Sequence, residues 1–230
     1  MDLRKTDPEL MSIIDHFAFD EVINEEGFTL DTENRYLCIL AALLGCQGID
    51  EFKNVMPRAL SEGVPAIAIR EVVYQAVDYL GMGRVYPFVP AMNEIFLAQG
   101  YELPLEAQST TTLETRLQAG EDLQVILFGP QMRGRYKTSH ISKWLADNCF
   151  GDYYTRTGLE LKQREMITFC YLAAQGGVEP QLTAHAQANL KNGNDHAFMM
   201  SVISQIMPYV GYPRTLNAVT ALNNAAESLK

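Results

Sequence analysis

The chain has 230 residues, a hydrophobic content of 47%, a charged content of 20% and a formal net charge of -10. The apolar fraction is ample for a packed core, and the charged fraction is too low for a disordered chain. The acidic balance, without any Lys/Arg cluster, excludes the basic footprint of a nucleic-acid binder. No apolar run approaches the length of about 18 residues that marks a membrane-spanning helix.

In chain order, the first seven residues lack the apolar core of a signal peptide, so the expected compartment is the cytoplasm. Residues 32–45 form an apolar run far too long for a buried strand and predict a helix. A second helix is expected over 50–62, stopped by Gly63. Pro65 suits the first turn of a third helix over 66–80, stopped by Gly81, and a fourth is expected over 85–98, closed by Gly100. Residues 101–112, with Pro104 and a Ser-Thr-Thr-Thr run, read as a linker.

Two more helices are expected over 113–128 and 139–148, followed by a loop holding Tyr153, Tyr154 and Arg156. Residues 161–175 predict another apolar helix, ended by Gly176-Gly177. The next opens at Glu179-Pro180 and closes at Asn192-Gly193. Asn194 or Asp195 can cap the one after it, and Pro208 should bend or disrupt that helix's last turn. Gly211 stops it and Pro213 starts the final helix. No strand alternation of useful length occurs, so the fold class is all-α.

The punctuation repeats. Adding 130 carries Leu60 to Leu190, Gly63 to Gly193, Gln75 to Gln205, Tyr79 to Tyr209, Gly81 to Gly211 and Arg84 to Arg214. Upstream, an offset of 129 carries Arg35 to Arg164 and Gly48 to Gly177. Such repeats decide architecture. They predict a tandem duplication: a degenerate copy over 1–100, a linker over 101–112 and a second copy over 113–230. Each copy has a helix apolar on most sides, which must be covered on most sides. The two copies should therefore pack on each other as a pseudo-two-fold bundle, with further self-association expected.

The copies differ where chemistry is possible. On a helix over 179–192, Leu182, His185, Ala186 and Asn189 fall on one stripe, so His185 faces inward. Its partner in the first copy is apolar, Val55 or Met56. Glu165 stands near the start of the preceding helix, either stabilised by its dipole or forming a pocket wall. Arg214 and Arg84 each open a last helix, where the dipole disfavours a cation, so an anionic partner is expected for them: a substrate carboxylate or a carboxylate of the other copy. The aromatics beside Arg156 either line a carboxylate pocket or pack structurally. The cysteines Cys38, Cys46, Cys149 and Cys170 form no Cys-x-x-Cys pair and read as reduced, mostly buried thiols, not a metal site.

These residues carry a resemblance. From Leu113 to Lys230 the chain resembles the carboxymuconolactone decarboxylase family. The matching words are Arg116-Leu117-Gln118-Ala119-Gly120, the run from Gly151 to Leu159, Arg164-Glu165, His185 with Asn192-Gly193, and Tyr209-Val210-Gly211-Tyr212-Pro213-Arg214. The resemblance implies an all-helical fold that assembles into homo-oligomers. It also implies one of two activities: cofactor-free decarboxylation of a small lactone acid, or alkylhydroperoxidase chemistry through a thiol pair. The thiol branch needs Cys-x-x-Cys before the histidine, and those places are Val178 and Gln181 here. The decarboxylase reading names His185 as proton donor, Glu165 as its orienting partner, and Arg156, Arg214, Tyr154 and Tyr209 as a binding set for a small anionic substrate, with no cofactor. The competing reading is a non-catalytic oligomeric member in which only packing is kept.

Overall fold

The structure is a computed structural model that describes residues 2–230. Its helices are α1 (Leu3–Thr6), α2 (Pro8–His16), α3 (Val22–Asn24), α4 (Thr32–Cys46), α5 (Ile49–Ser61), α6 (Ala66–Leu80), α7 (Met82–Val85) and α8 (Phe88–Ala98) in the first half. The second half has α9 (Arg116–Phe128), α10 (His140–Trp144), α11 (Leu161–Gln175), α12 (Glu179–Lys191), α13 (His196–Val210) and α14 (Tyr212–Glu227). Wider π-helical turns occupy Phe17–Glu21 and Leu145–Tyr154. No strand occurs among the described residues, so the all-α expectation holds. Among the described residues, no helix is long and apolar enough to cross a membrane.

Local chemistry explains most boundaries. Asp31 caps α4 by accepting from the Asn34 N–H at 2.9 Å, and Asp195 caps α13 through the Phe198 N–H at 2.8 Å, because a short carboxylate satisfies orphan N–H groups at a helix start. Gly211, at φ 78°, ends α13 in a backbone region that L side chains avoid. Three expectations needed revision. The helix expected over 85–98 is split, since Pro87 and Pro90 each lack the N–H that would continue the ladder between α7 and α8. The helix expected over 139–148 widens into the π-helical turns and runs to Tyr154, so Tyr153 and Tyr154 sit on it and not in a loop. Pro208 is absorbed inside α13, which continues to Val210; so close to the helix end it removes one ladder bond.

Helices α4 and α11 form the centre. From Tyr36 to Gly45 every residue of α4 is buried, as is every residue of α11 from Arg164 to Ala174. At about 1.5–3 kcal/mol for each fully buried large apolar side chain, neither helix could be left half-covered. They cover each other, with α6 and α13 closing the remaining sides. Their crossing is tight at Gly45, where a Cβ would stand 2.7 Å from both the Ala174 Cβ and the Tyr171 carbonyl oxygen. Side chains of both halves join in one hydrophobic core.

Helix α9 lies directly on the π-helical turns. A Cβ on Gly120 would stand 1.8 Å from the Ala146 carbonyl oxygen, and one on Gly151 would stand 2.2 Å from the Arg116 carbonyl oxygen. Only two glycines allow that backbone contact. Gly120→Ala should therefore cost about 3 kcal/mol, the upper end of overpacking penalties. Urea unfolding followed by circular dichroism checks it; a variant as stable as the wild type would show that α9 does not need this seat.

Candidate proton-transfer site at the seam between the halves

The stripe on α12 is buried: Leu182, His185, Ala186 and Asn189 all lie in the interior. Two amides hold the helix there. Asn189 Nδ2 donates to the Glu165 carbonyl at 2.9 Å, and Asn194 Nδ2 donates to Asn189 Oδ1 at 2.7 Å and to the Lys162 carbonyl at 2.8 Å. These bonds fix α12 against the start of α11. His185 and Glu165 then meet, with Nδ1 to Oε2 at 2.8 Å. With Glu165 as a carboxylate, Nδ1 must donate, which leaves Nε2 as the atom that takes or gives a proton.

Glu165 is fully buried and its Oε1 has no hydrogen-bond partner. His185 keeps 7% of its surface exposed. Two rings meet its imidazole edge-on: Tyr79 at 5.4 Å between centroids and Phe128 at 5.6 Å. Tyr79 belongs to α6, in the first half, and Phe128 to α9, so the site is assembled across the seam. The Tyr79 hydroxyl donates to the Tyr154 hydroxyl at 3.0 Å, and that oxygen lies 2.6 Å from Thr168 Oγ1. Burial holds both phenols well above their ordinary range. They stay neutral and serve as hydrogen-bonding hydroxyls.

The polar chain continues away from the imidazole. Gln75 Nε2 donates to Thr168 Oγ1 at 2.9 Å, and Arg164 Nη1 donates to Gln75 Oε1 at 2.8 Å. Arg164 Nη2 reaches Glu71 Oε2 at 3.3 Å and the Arg156 carbonyl at 2.7 Å. Arg156 grips Glu71 with both Nε (2.8 Å) and Nη2 (2.9 Å). That bidentate bond raises the Arg156 pKa, while burial lowers that of Arg164.

The sequence-predicted residues are thus divided. His185 and Glu165 are in contact, and Tyr154 joins them through Tyr79. Arg156 is not brought to the imidazole, because Glu71 holds it on the far side of the polar chain. Arg214 lies alongside Gly176 and lines, with Leu182, a hollow of about 10 Å³, room for about one water. Its first-half counterpart Arg84 donates to Gln175 Oε1 at 2.9 Å, at the end of α11. A cation at a helix C-terminus is favoured by the dipole, so the expected anionic partner of Arg84 is replaced by the end of a neighbouring helix. Tyr209 packs in the first half, where burial raises its pKa beside Glu51 and Arg35. Tyr79, 130 residues before Tyr209, occupies the place by His185.

The four cysteines are free thiols, with Cys38, Cys149 and Cys170 buried. Cys149 sits next to Asp78 and Tyr79, and burial pushes its pKa well up, the opposite of an activated thiolate. Among the described residues, no group of three or more His, Cys, Asp or Glu is arranged to hold a metal ion.

The fold is that of a protein from Burkholderia xenovorans LB400, provisionally named a gamma-carboxymuconolactone decarboxylase subunit. Its crystal structure superposes with a TM-score of 0.58 and 20% sequence identity, covering 99% of this chain and 90% of that one. Residues 140–224 match the model of the carboxymuconolactone decarboxylase family. The resemblance read from the sequence therefore stands, and the matched segment contains both His185 and Glu165. No curated protein matches the chain.

Asp78 adds a pH dependence next to this site. Burial pushes its carboxyl from 3.8 up to about 8, with the nearby Asp152 adding to the rise and Cys149 opposing it, and its Oδ2 has no partner. The folded state binds this proton more tightly than the unfolded chain. The associated stability is full below about pH 4 and is lost as pH rises toward 8. Asp78→Asn cannot ionise, so it should match the wild type near pH 4 and exceed it in stability at pH 8. Urea midpoints at pH 4, 6 and 8 measure the difference; parallel curves for the two proteins would refute the buried-proton assignment.

Proposed function

We propose that the chain catalyses cofactor-free decarboxylation, or a related proton transfer, on a small carboxylated lactone or acid. The observation that carries this reading is the buried His185–Glu165 pair at 2.8 Å within the segment that matches the family. Loss of CO2 leaves an electron pair conjugated with a carbonyl, and a proton must then be delivered to carbon. His185 Nε2 is assigned that delivery. Glu165 fixes the tautomer and offsets the imidazolium charge. Tyr79, on the wall, excludes water and offers a neutral hydroxyl.

The same reading takes the chain as a duplication with one live site. Helices α4, α5 and α6 have 15, 13 and 15 residues, and α11, α12 and α13 have 15, 13 and 15. At the same offsets, Glu165 corresponds to Tyr36 and His185 to Val55. The first half therefore offers no acid/base pair at the matching place. Self-association belongs to the proposal too, supported by exposed Leu113, Ile126, Ile141 and Trp144 on and beside α9 and α10.

Two observations favour the competing, non-catalytic reading: among the described residues no guanidinium stands beside His185, and the ring is almost enclosed. Turnover separates the two. His185→Ala should cut CO2 release from small lactone acids by about 10²–10⁴-fold, the usual share of a positioned general acid, with an unchanged helical spectrum. Glu165→Gln should lower the rate less and shift its pH profile. A His185→Ala variant as active as the wild type, or a wild type inert on every acid in such a panel, removes the assignment. Light scattering after gel filtration should give more than one chain per particle, and Ile126→Glu with Trp144→Glu should reduce that mass to one chain.

A further inference from the structure

A second site stands apart from the imidazole. Arg70, Tyr74, Asn93, Phe96, Leu103 and Arg156, with neighbouring linker residues, line a cavity of about 430 Å³ between α6, α8 and the linker. That size lies within the roughly 300–1,000 Å³ of small-molecule pockets. No carboxylate lines it. Arg70 is 95% buried, its two terminal nitrogens are spent on the Leu105 and Glu106 carbonyls (3.0 and 2.7 Å), and its Nε is buried without a partner. Arg156 uses Nε and Nη2 on Glu71, which leaves Nη1 free of any protein acceptor. Both guanidinium groups approach the Tyr74 ring, at 5.4 and 5.2 Å from its centroid.

The charge count is unbalanced. Three guanidiniums, those of Arg70, Arg156 and Arg164, lie within 4.0 Å of one carboxylate, Glu71, and of no other among the described residues. One negative charge against three positive ones leaves an excess of two on largely buried groups. Buried charge without a counterion is costly, and the two cations that line the cavity, Arg70 and Arg156, still have unused donors.

We propose that this cavity binds a small organic anion: a carboxylate on a compact apolar or aromatic body. The carboxylate meets Arg156 Nη1 and the Asn93 amide under the uncompensated charge of Arg70, and the body lies against Tyr74, Phe96 and Leu103. The site stands independently of catalysis at His185.

Benzoate is the probe, titrated by calorimetry against the full chain, with benzyl alcohol and inorganic phosphate as controls. Benzoate should bind one per chain and weaken as salt is raised, since the contact is ionic. Benzyl alcohol, which keeps the ring and lacks the charge, and phosphate, which keeps the charge and lacks the ring, should each bind at least tenfold more weakly. Ala107→Trp fills the cavity at an exposed linker position and leaves the arginines in place; it should abolish benzoate binding. Asn93→Leu should weaken it several-fold. His185→Ala should leave it unchanged. The proposal is overturned if benzoate does not bind, if its binding survives Ala107→Trp, if phosphate binds as tightly, or if His185→Ala is the variant that loses it.

Discussion

Glu71 is fully buried on α6, and three guanidinium groups converge on its carboxylate. Each comes from a different part of the chain. Arg70 is its neighbour and ties down the linker carbonyls; Arg156 follows the π-helical turns; Arg164 opens α11. One carboxylate thus fixes the linker, the end of the π-helical segment and the first turn of the central helix of the second half. Glu165 is the residue after Arg164, so its place against His185 is inherited from this cluster. The cavity beside Arg70 takes its shape from the same bonds.

A cluster of this kind is weak evidence for stability. Buried ion pairs are often no better than well-packed apolar groups, while removal of one partner is severe because the other charge is stranded. Here the asymmetry is larger, since one acid serves three bases. What the cluster supplies is registry: the Arg164 guanidinium makes bonds to Gln75, Glu71 and two carbonyls, and few other alignments of α6 with α11 would satisfy it. Gln75 completes the lock by donating to the Arg164 carbonyl at 3.0 Å. Apolar packing of α4 on α11 holds the halves together, and this polar lock sets which residues face which.

Much of this was legible in the sequence, for identifiable reasons. The apolar runs of α4 and α11, the glycines that end helices and the inward stripe of α12 all follow from local periodicity and backbone freedom. The pairing of His185 with Glu165 comes instead from the family resemblance, since periodicity turns each of them inward but does not say that they meet. Arg156 and Arg214 were harder. Their expected role needed a carboxylate-binding pocket at the imidazole, but a charged side chain is placed by whichever partner it finds in three dimensions. For Arg156 that partner is Glu71, 85 residues away in sequence. Nothing in a one-dimensional pattern distinguishes Glu71 from any other helical glutamate. Tyr79 is the intermediate case: visible as a repeat match, but assignable to the site only once the halves are packed.

Tyr79 crosses from the first half of the chain to the imidazole of the second. The surroundings of His185 draw on both: Glu165 and His185 from the second half, Tyr79 from the first. By the same packing, Tyr209 of the second half lies toward Tyr36 of the first, where the Tyr36 hydroxyl donates to Glu62 Oε1 at 2.5 Å and Arg35 reaches Glu62 Oε2 at 3.2 Å. A tyrosine stands in both places, and the His185–Glu165 hydrogen bond in one of them. Helix α6 of the first half provides both the Tyr79 wall beside His185 and the Glu71 carboxylate that positions α11. Under the proposed function, constraint on the first half is structural, exerted through Glu71, Gln75 and Tyr79, while constraint on the second is also chemical, exerted through His185 and Glu165.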